Sequence, residues 1–210
     1  MTNKDGENWV YSETVKQHFF EPQNILKGDP EEYGADGVGY VGSPACGDMM
    51  KMWIKVDKLT DTIEECKWQT FGCASAIAST SVLSVMATEN GGMSLDRAMK
   101  ITPQEICERL SGLPDRKIHC SVLGDKALRA AINDYFKKSG QDERIIKEKA
   151  KTICRCLEVT DHEIEEAVLE GKQTWEKVQR ETKCGTACGG CKGRIENLIK
   201  QYKLQYFGEE

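Results

Sequence analysis

Ten cysteines in 210 residues form two unlike sets, and their spacing indicates two kinds of metal chemistry. Four thiols occur in the last third of the chain as Cys154-x-Cys156 and, after 31 further residues, Cys188-x-x-Cys191. Spacings this short let two sulfurs bind one metal centre, and four thiolates suit tetrahedral zinc or an iron–sulfur cluster. Spacing alone leaves zinc and iron–sulfur open.

Three glycines surround the second of these pairs. Gly185, Gly189 and Gly190 let the backbone turn sharply, because glycine adopts positive φ without steric cost. We expect these turns to direct backbone amides toward the sulfur atoms.

A second set of three cysteines is dispersed along the chain. Their contexts are Ala-Cys46-Gly-Asp48, Phe-Gly-Cys73-Ala-Ser and Lys117-Ile-His119-Cys120-Ser. Cys73 and Cys120 each precede a predicted helix, whose dipole and free amides lower the pKa of a thiol. Oxygen binds iron and zinc less tightly than sulfur does, so three sulfurs with Asp48 or His119 would form a site that can release its metal.

The remaining three cysteines are predicted to have no metal role. Cys66 shares a strand face with Trp68, and Cys107 lies on a predicted helix, so both are expected to be buried as small apolar residues. Cys184 lies outside the ligand pattern and is expected to be a small residue near solvent.

Composition excludes several classes of partner. The net charge is −5 with no block of basic residues, which argues against nucleic acid. The N-terminus has no apolar stretch typical of a secretion signal, and the uncharged run 71–88 has too few large apolar residues to span a membrane. A cytoplasmic protein is therefore expected, in which dense cysteine indicates metal or catalysis more often than disulfides.

The predicted elements divide the chain into two domains. Residues 49–56 and 62–71 alternate as two antiparallel strands, a helix over Ala74–Thr88 follows Cys73, and residues 28–42 are predicted to be a loop. Capping boxes begin helices after Thr102 and Thr160, and another helix begins just after Cys120. The fold class is α+β: residues 1–137 form a small antiparallel sheet with packed helices, 138–150 a charged linker, and 151–210 a small all-α domain.

The clustered cysteines resemble those of a known module. Cys154-Arg-Cys156 followed by Cys188-Gly-Gly-Cys191 is similar to the bacterioferritin-associated ferredoxin-like (BFD-like) domain, over residues 151–203. Most ferredoxins arrange their four cysteines differently, so the match is specific. The resemblance implies that these four cysteines are ligands of a permanent [2Fe–2S] cluster.

The contexts of the dispersed cysteines also resemble a family. They are Tyr11-Ser-Glu, Gly42-Ser-Pro-Ala-Cys46-Gly-Asp48, Gly72-Cys-Ala-Ser-Ala-Ile-Ala-Ser79 and Lys117-Ile-His-Cys-Ser-Val-Leu123. In this order they are similar to IscU-type scaffolds for iron–sulfur assembly, over residues 11–137. Joined to the ferredoxin-like module, the chain resembles the NifU-type scaffolds associated with nitrogenase maturation.

This resemblance implies roles for individual residues. Cys46, Cys73 and Cys120 would hold a transient [2Fe–2S] or [4Fe–4S] cluster, iron or zinc. Asp48 and His119 would be exchangeable fourth ligands, with Lys117 close to them. Cys120 would accept persulfide sulfur from a cysteine desulfurase.

The resemblance also implies partners and a function. The chain would be an assembly scaffold rather than a turnover enzyme, passing clusters to apo iron–sulfur proteins and pairing as a homodimer. Two alternatives remain open at this point: a two-site zinc protein, and a ferredoxin-type electron carrier whose first domain docks partners.

Overall fold

The structure is a computed structural model that describes residues 11–42, 49–113, 119–146 and 150–208. For His119 and Cys120 it describes the backbone only. The chain divides into two compact units, and the first unit ends at Ile146. The predicted site residues Cys46, Asp48 and Lys117 lie outside the described residues.

The first unit is built on a three-stranded antiparallel sheet. Its order is β1 (Gly37–Gly42), β2 (Met49–Asp57) and β3 (Thr62–Thr70). Strands β2 and β3 confirm the two strands predicted from alternation. The prediction of a loop over residues 28–42 is wrong in two places, because it contains β1 and the short helix Pro30–Tyr33.

Glycines conceal β1 in the sequence, since glycine is depleted in strands. Here they are needed because a helix packs directly on the strand backbone. A Cβ on Gly37 would overlap the carbonyl oxygen of Ala131, and one on Gly39 would overlap that of Ala127. The side chains that would have marked the strand are therefore missing for a packing reason.

Six α-helices complete the described part of the first unit. They are α1 (Glu13–Phe20), α2 (Pro30–Tyr33), α3 (Ala74–Thr88), α4 (Leu95–Ala98), α5 (Pro103–Arg109) and α6 (His119–Lys138). Helix α3 has the predicted bounds, and α5 begins with the predicted capping box at Thr102. Helix α6 begins at His119, so Cys120 lies in its first turn rather than before it.

Helix α3 is almost entirely buried although it is rich in serine and threonine. Some of its hydroxyls bond within the helix: Thr80 donates to the carbonyl oxygen of Ala76 at 2.8 Å, and Ser84 to that of Ser81 at 2.7 Å. Others bond outside it, as the Ser81 hydroxyl accepts from the amide of Gln23 at 2.8 Å. Small polar residues can therefore occupy the core without unpaired groups. Helix α6 packs closely on α3, since a Cβ on Gly124 would lie 3.2 Å from a methyl carbon of Leu83.

Residues 139–146 lie within the segment predicted to be a linker, and they pack on the first unit. Arg144 forms ion pairs of 2.7 Å with Asp61 and 2.8 Å with Asp96. Its guanidinium carbon also lies 4.3 Å from the centre of the Phe136 ring. These contacts attach the end of the first unit to its core.

A buried carboxylate lies on α6, one turn beyond Cys120. Asp125 is 2% exposed and its Oδ2 accepts a hydrogen bond of 2.7 Å from Arg129. Its Oδ1 is buried and has no hydrogen-bond partner among the described residues. Burial raises the pKa of Asp125 to about 7, although Arg129 and Lys126 act in the opposite direction.

Asp125 should make the first unit less stable as the pH rises. The native state retains the proton up to about pH 7 and the unfolded state loses it near pH 4, so the free energy of unfolding should fall across this range. The loss should be up to about 4 kcal/mol, from about 1.4 kcal/mol per pKa unit. Urea denaturation at pH 5 and pH 8 should show a smaller difference for Asp125→Asn than for the exposed control Asp142→Asn. Equal pH dependence in both variants would contradict this prediction.

The second unit contains three helices and one short strand pair among its described residues. The strands are β4 (Thr152–Cys154) and β5 (Val159–Thr160), and the helices are α7 (Asp161–Leu169), α8 (Trp175–Thr182) and α9 (Lys192–Phe207). The capping box at Thr160 is confirmed. The strand pair is an addition to the predicted all-α domain. It is too short to produce an alternating pattern in the sequence.

No helix among the described residues is long and apolar enough to cross a membrane.

Candidate metal centres

The four clustered cysteines lie on two segments of the second unit. Cys154 is the last residue of β4, and Cys156 follows in the turn toward β5. Cys188 lies in the loop before α9, and Cys191 is the N-cap residue of that helix. The strand pair and the start of α9 therefore position the two halves of the predicted ligand set.

The four sulfurs form two pairs. The sulfurs of Cys156 and Cys188 are 3.3 Å apart, and both residues are exposed. Cys154 and Cys191 are hydrogen-bonded to each other and are 2% and 3% exposed. Among the described residues, no three His, Cys, Asp or Glu side chains group around a point where one ion would sit.

Backbone amides stabilise negative charge on one sulfur of each pair. The amide of Gly185 donates to Cys154 and lowers its pKa, and the amide of Gly190 does the same for Cys188. These contacts confirm that the glycine-bearing loop directs amides at sulfur. Hydrogen bonds of this kind to cysteine sulfur are a feature of iron–sulfur sites.

The second thiol of each pair holds a proton more firmly. The hydrogen bond with Cys188 raises the pKa of Cys156, and burial raises the pKa of Cys191 to about 11. Each pair therefore shares a proton where a bound metal would need two thiolates. Two thiol pairs, each supported by an amide, fit a [2Fe–2S] cluster, in which each iron takes two cysteine ligands.

The loop around the thiols is tightly packed at Gly185, whereas a Cβ at Gly190 would make only an ordinary contact. Gly185 has φ +69°, and a Cβ there would lie 2.6 Å from the Trp175 ring and 3.5 Å from the sulfur of Cys191. A Cβ on Gly190 would lie 3.6 Å from the sulfur of Cys188. Trp175, which sequence reasoning did not select, thus packs directly against the ligand loop.

The prediction that Cys184 lies near solvent is wrong. Cys184 is 0% exposed, and burial raises the pKa of its thiol. The preceding residue, Lys183, ends α8 in the left-handed conformation at φ +60°, which turns the chain there. Cys184 is close enough to Cys154 and Cys191 to affect the pKa of Cys191. Its spacing in the sequence gave no signal of this burial.

The two other cysteines without a predicted metal role are also described. Cys66 is 1% exposed, and burial raises its pKa to about 12, which confirms its prediction. Cys107 is half-buried, with its sulfur 3.7 Å from the hydroxyl of Ser121.

Of the three dispersed cysteines, Cys73 is the one whose side chain the structure describes, and it is the N-cap residue of α3. Cys73 lies three residues after the end of β3, at one end of the sheet. At this end Gly42 pairs with Met49, and the amide of Phe71 donates to the carbonyl oxygen of Met49 at 3.2 Å. The residues that flank segment 43–48, which contains Cys46 and Asp48, thus lie at the same end as Cys73.

The start of α6 lies at this end too. On β1, Gly37 faces Ala131 of α6 and Gly39 faces Ala127, so the strand and the helix run in opposite directions. Two residues of strand, roughly 6.6 Å, thus lie alongside four residues of helix, roughly 6 Å. The three further residues to Gly42 cover roughly 10 Å of strand, which corresponds to about seven residues of helix. Counting seven residues back from Ala127 reaches Cys120, so α6 runs back toward the Gly42 end of β1, with Cys120 in its first turn.

Three exposed apolar residues cluster at this end of the sheet, and sequence reasoning missed them. Phe71 is 85% exposed, Tyr40 60% and Met49 41%. The Tyr40 hydroxyl donates to the Met49 sulfur at 2.9 Å. Exposure cannot be inferred from an isolated aromatic residue at a strand end, so the sequence carried no signal for this patch.

Two family descriptions match the chain. "NifU-like N terminal domain" matches residues 10–142, and "BFD-like [2Fe-2S] binding domain" matches residues 152–201. The two matches cover the dispersed and the clustered cysteines respectively.

Individual relatives are similar to different lengths of the chain. The nitrogen fixation protein NifU of Nostoc sp. is 39% identical over 202 residues, covering 93% of this chain and 65% of the relative. The iron–sulfur cluster assembly scaffold protein IscU 1 of Archaeoglobus fulgidus is 48% identical over 136 residues, covering 65% of this chain and 83% of the relative. The chain spans 60–65% of the length of the NifU relatives that it matches.

A crystal structure from Fervidobacterium islandicum also matches. It is of a candidate scaffold protein of the SUF system for iron–sulfur cluster assembly, is 22% identical and has a TM-score of 0.46. The match covers 58% of this chain and 96% of that chain, and it carries no further argument at this level of similarity.

Proposed function

Because this chain belongs to the NifU-like family over residues 10–142 and contains a BFD-like [2Fe–2S] domain over 152–201, we propose that it is an iron–sulfur assembly scaffold. On this proposal, clusters are built on the first unit from iron and desulfurase-derived sulfur and are then passed to apo-proteins. Nitrogenase maturation is one setting for this supply, because relatives are nitrogen fixation proteins.

One observation supports this proposal most strongly. Cys73 and both residues that flank segment 43–48 lie at one end of the sheet, and α6 runs back along β1 toward that end, with Cys120 in its first turn. This arrangement favours a single site for Cys46, Cys73 and Cys120, which are far apart in sequence. Two of these thiols lie at helix starts, where the dipole and free amides favour thiolate.

The residues of this site have different roles in the proposed mechanism. Cys46, Cys73 and Cys120 bind the substrate iron, and Asp48 or His119 supplies the fourth ligand. A cysteine desulfurase transfers sulfur to Cys120, giving a persulfide with Lys117 nearby. Two electrons from an external reductant and a proton then cleave the S–S bond, which releases hydrosulfide and restores the Cys120 thiol. The chain is regenerated after each transfer without turning over a small-molecule substrate.

The second unit holds a resident group. Cys154, Cys156, Cys188 and Cys191 would ligate a permanent [2Fe–2S] cluster, which gains and loses one electron when bound. The amides of Gly185 and Gly190 stabilise the ligand charge, and the burial of Cys154 and Cys191 excludes water from one side. Four sulfur ligands retain metal more firmly than three sulfurs with one oxygen or nitrogen.

Further features belong to the same proposal. The scaffold acts in the cytoplasm, where thiols stay reduced. Its partners are a cysteine desulfurase and apo iron–sulfur proteins. It pairs as a homodimer when the transferred product is [4Fe–4S], because such a cluster needs two chains to meet. Zinc can also occupy the three-thiol site, since thiolate sites bind zinc readily.

The experiment for this function reconstitutes assembly on the full chain. The chain receives iron, cysteine, a cysteine desulfurase and a reductant under anaerobic conditions, and apo-ferredoxin is added afterwards. We expect apo-ferredoxin to acquire a cluster at a rate that depends on the chain. Acceptor maturation at the same rate without the chain would contradict the scaffold function.

Asp48→Ala is expected to slow cluster release. Asp48 supplies the labile oxygen ligand, so its removal should leave the cluster held by stronger donors. The rate of transfer to apo-ferredoxin should fall several-fold while the amount of assembled cluster stays similar. Faster transfer from the variant would count against this role of Asp48.

A further inference from the structure

The two thiol pairs of the second unit differ in their access to solvent. Cys156 and Cys188 are exposed, whereas Cys154 and Cys191 are buried. Leu157, next to Cys156, is 41% exposed and adds an apolar spot beside the exposed pair. A partner protein would approach a bound group closest at this exposed pair.

Basic residues surround the ligand positions. Residues 151–158 and 183–194 contain five Lys or Arg and one acidic residue. They are Lys151, Arg155, Lys183, Lys192 and Arg194, with Glu158. The charge contrasts with that of α7, whose residues Asp161–Leu169 include four Asp or Glu and no Lys or Arg.

Two basic side chains of these segments carry a charge that no described carboxylate neutralises. Arg155 lies between two ligands and Lys183 precedes Cys184; both are exposed, and the Lys183 ammonium donates to the carbonyl oxygen of Arg180 at 2.7 Å. Within the described residues, neither forms an ion pair with a carboxylate. Lys192 follows Cys191, lies 5.7 Å from the centre of the Trp175 ring and is only loosely paired with Glu196 at 3.8 Å.

We propose that this basic rim, defined by Arg155, Lys183 and Lys192 on the two segments that carry Cys156 and Cys188, docks an acidic one-electron carrier protein. This inference rests on the proposed function, because it takes the resident [2Fe–2S] cluster to be bound. The partner's reduced cofactor loses one electron, and the cluster gains it, passing from the oxidised to the one-electron reduced state. No bond is formed or broken in this step.

The composition of the rim suits a transient electron-transfer contact. Such interfaces are small, and their charge complementarity increases the rate of encounter more than the final affinity. Basic side chains with little or no carboxylate pairing attract an acidic surface, and the exposed side chain of Leu157 adds a small apolar contact next to Cys156. Association should therefore be fast at low ionic strength and should slow as salt screens the charges.

The test uses the full chain with its cluster and reduced flavodoxin, an acidic flavoprotein, as the probe. Stopped-flow absorbance follows cluster reduction at several salt concentrations for wild type, Arg155→Glu and Lys183→Glu. Lys200→Glu is the matched control, since it makes the same charge change on α9 about 13 Å of helix beyond Cys191. At low salt we expect each rim variant to be about tenfold slower and the control to lie within about twofold of wild type.

Two further measurements separate docking from damage to the cluster. Reduction by methyl viologen radical, a small cation, should not slow in the rim variants. Calorimetric titration with oxidised flavodoxin should show weaker binding for both, and this readout needs no electron transfer.

The outcomes are distinguishable. Flavodoxin rates that do not depend on salt, or rim variants that match Lys200→Glu, would overturn the docking surface. A chain that purifies without a cluster but still binds flavodoxin through the rim would refute the resident cluster and retain the docking surface.

Discussion

Replacing Cys73 by alanine is expected to abolish assembly of a transferable cluster while leaving the four-thiol centre of the second unit intact. Cys73 is the N-cap residue of α3 at the sheet end where the start of α6 also lies. Its loss removes one of three thiolates from a site whose other proposed ligands, Asp48 and His119, bind more weakly. Cluster transfer to apo-ferredoxin should fall at least tenfold, and Cys46→Ala and Cys120→Ala should behave alike.

The control for this experiment is Cys66→Ala in the same unit. Cys66 is buried on β3 and is 1% exposed, so its removal tests for a general loss of thiols or packing. The control should assemble and transfer clusters at near wild-type yield, even if its thermal stability falls. Unchanged yield in Cys73→Ala, Cys46→Ala and Cys120→Ala would instead favour an electron carrier over a scaffold.

Replacing Cys156 or Cys188 by alanine is expected to remove the reducible [2Fe–2S] signal. The two sulfurs lie 3.3 Å apart, and in our account they bind the same iron. Losing either leaves that iron with one cysteine ligand at an exposed position. Anaerobically purified protein should lose its red-brown colour and the electron paramagnetic resonance signal that appears on reduction.

The matched control here is Cys184→Ala, which removes a neighbouring thiol outside the ligand set. Cys184 is fully buried and close to Cys154 and Cys191, so its loss should affect packing without removing an iron ligand. We expect the variant to keep one [2Fe–2S] cluster per chain. A cluster that survives in Cys188→Ala but disappears in Cys184→Ala would show that the ligand set has been assigned wrongly.

Local patterns predicted much of the fold. Helix α3 has the bounds expected from its uncharged run and the glycines after it, and the capping boxes at Thr102 and Thr160 both begin helices. Strand β1 could not be predicted, because its glycines are explained only by contact with Ala127 and Ala131 on a distant helix. Strand β1 is determined by contacts between residues distant in the sequence, and a short stretch of sequence does not contain that information.

Local sequence patterns also predicted only part of the candidate sites. Spacing identified the four clustered cysteines, and the glycines predicted the amides directed at sulfur, as Gly185 and Gly190 show. Spacing could not predict that Cys156 pairs with Cys188, or that one pair is buried and the other exposed, because the fold brings these two segments together. The burial of Cys184 was missed for the same reason.

On the proposed function, one cysteine set retains its cluster and the other releases it. The most direct measurement is iron, sulfide and zinc content per chain, taken after anaerobic reconstitution and again after transfer to excess apo-ferredoxin. We predict that each chain keeps one [2Fe–2S] cluster while the remaining iron and sulfide move to the acceptor. A colourless chain with two zinc ions despite abundant iron, or a chain that gives up all of its iron to the acceptor, would contradict the claim.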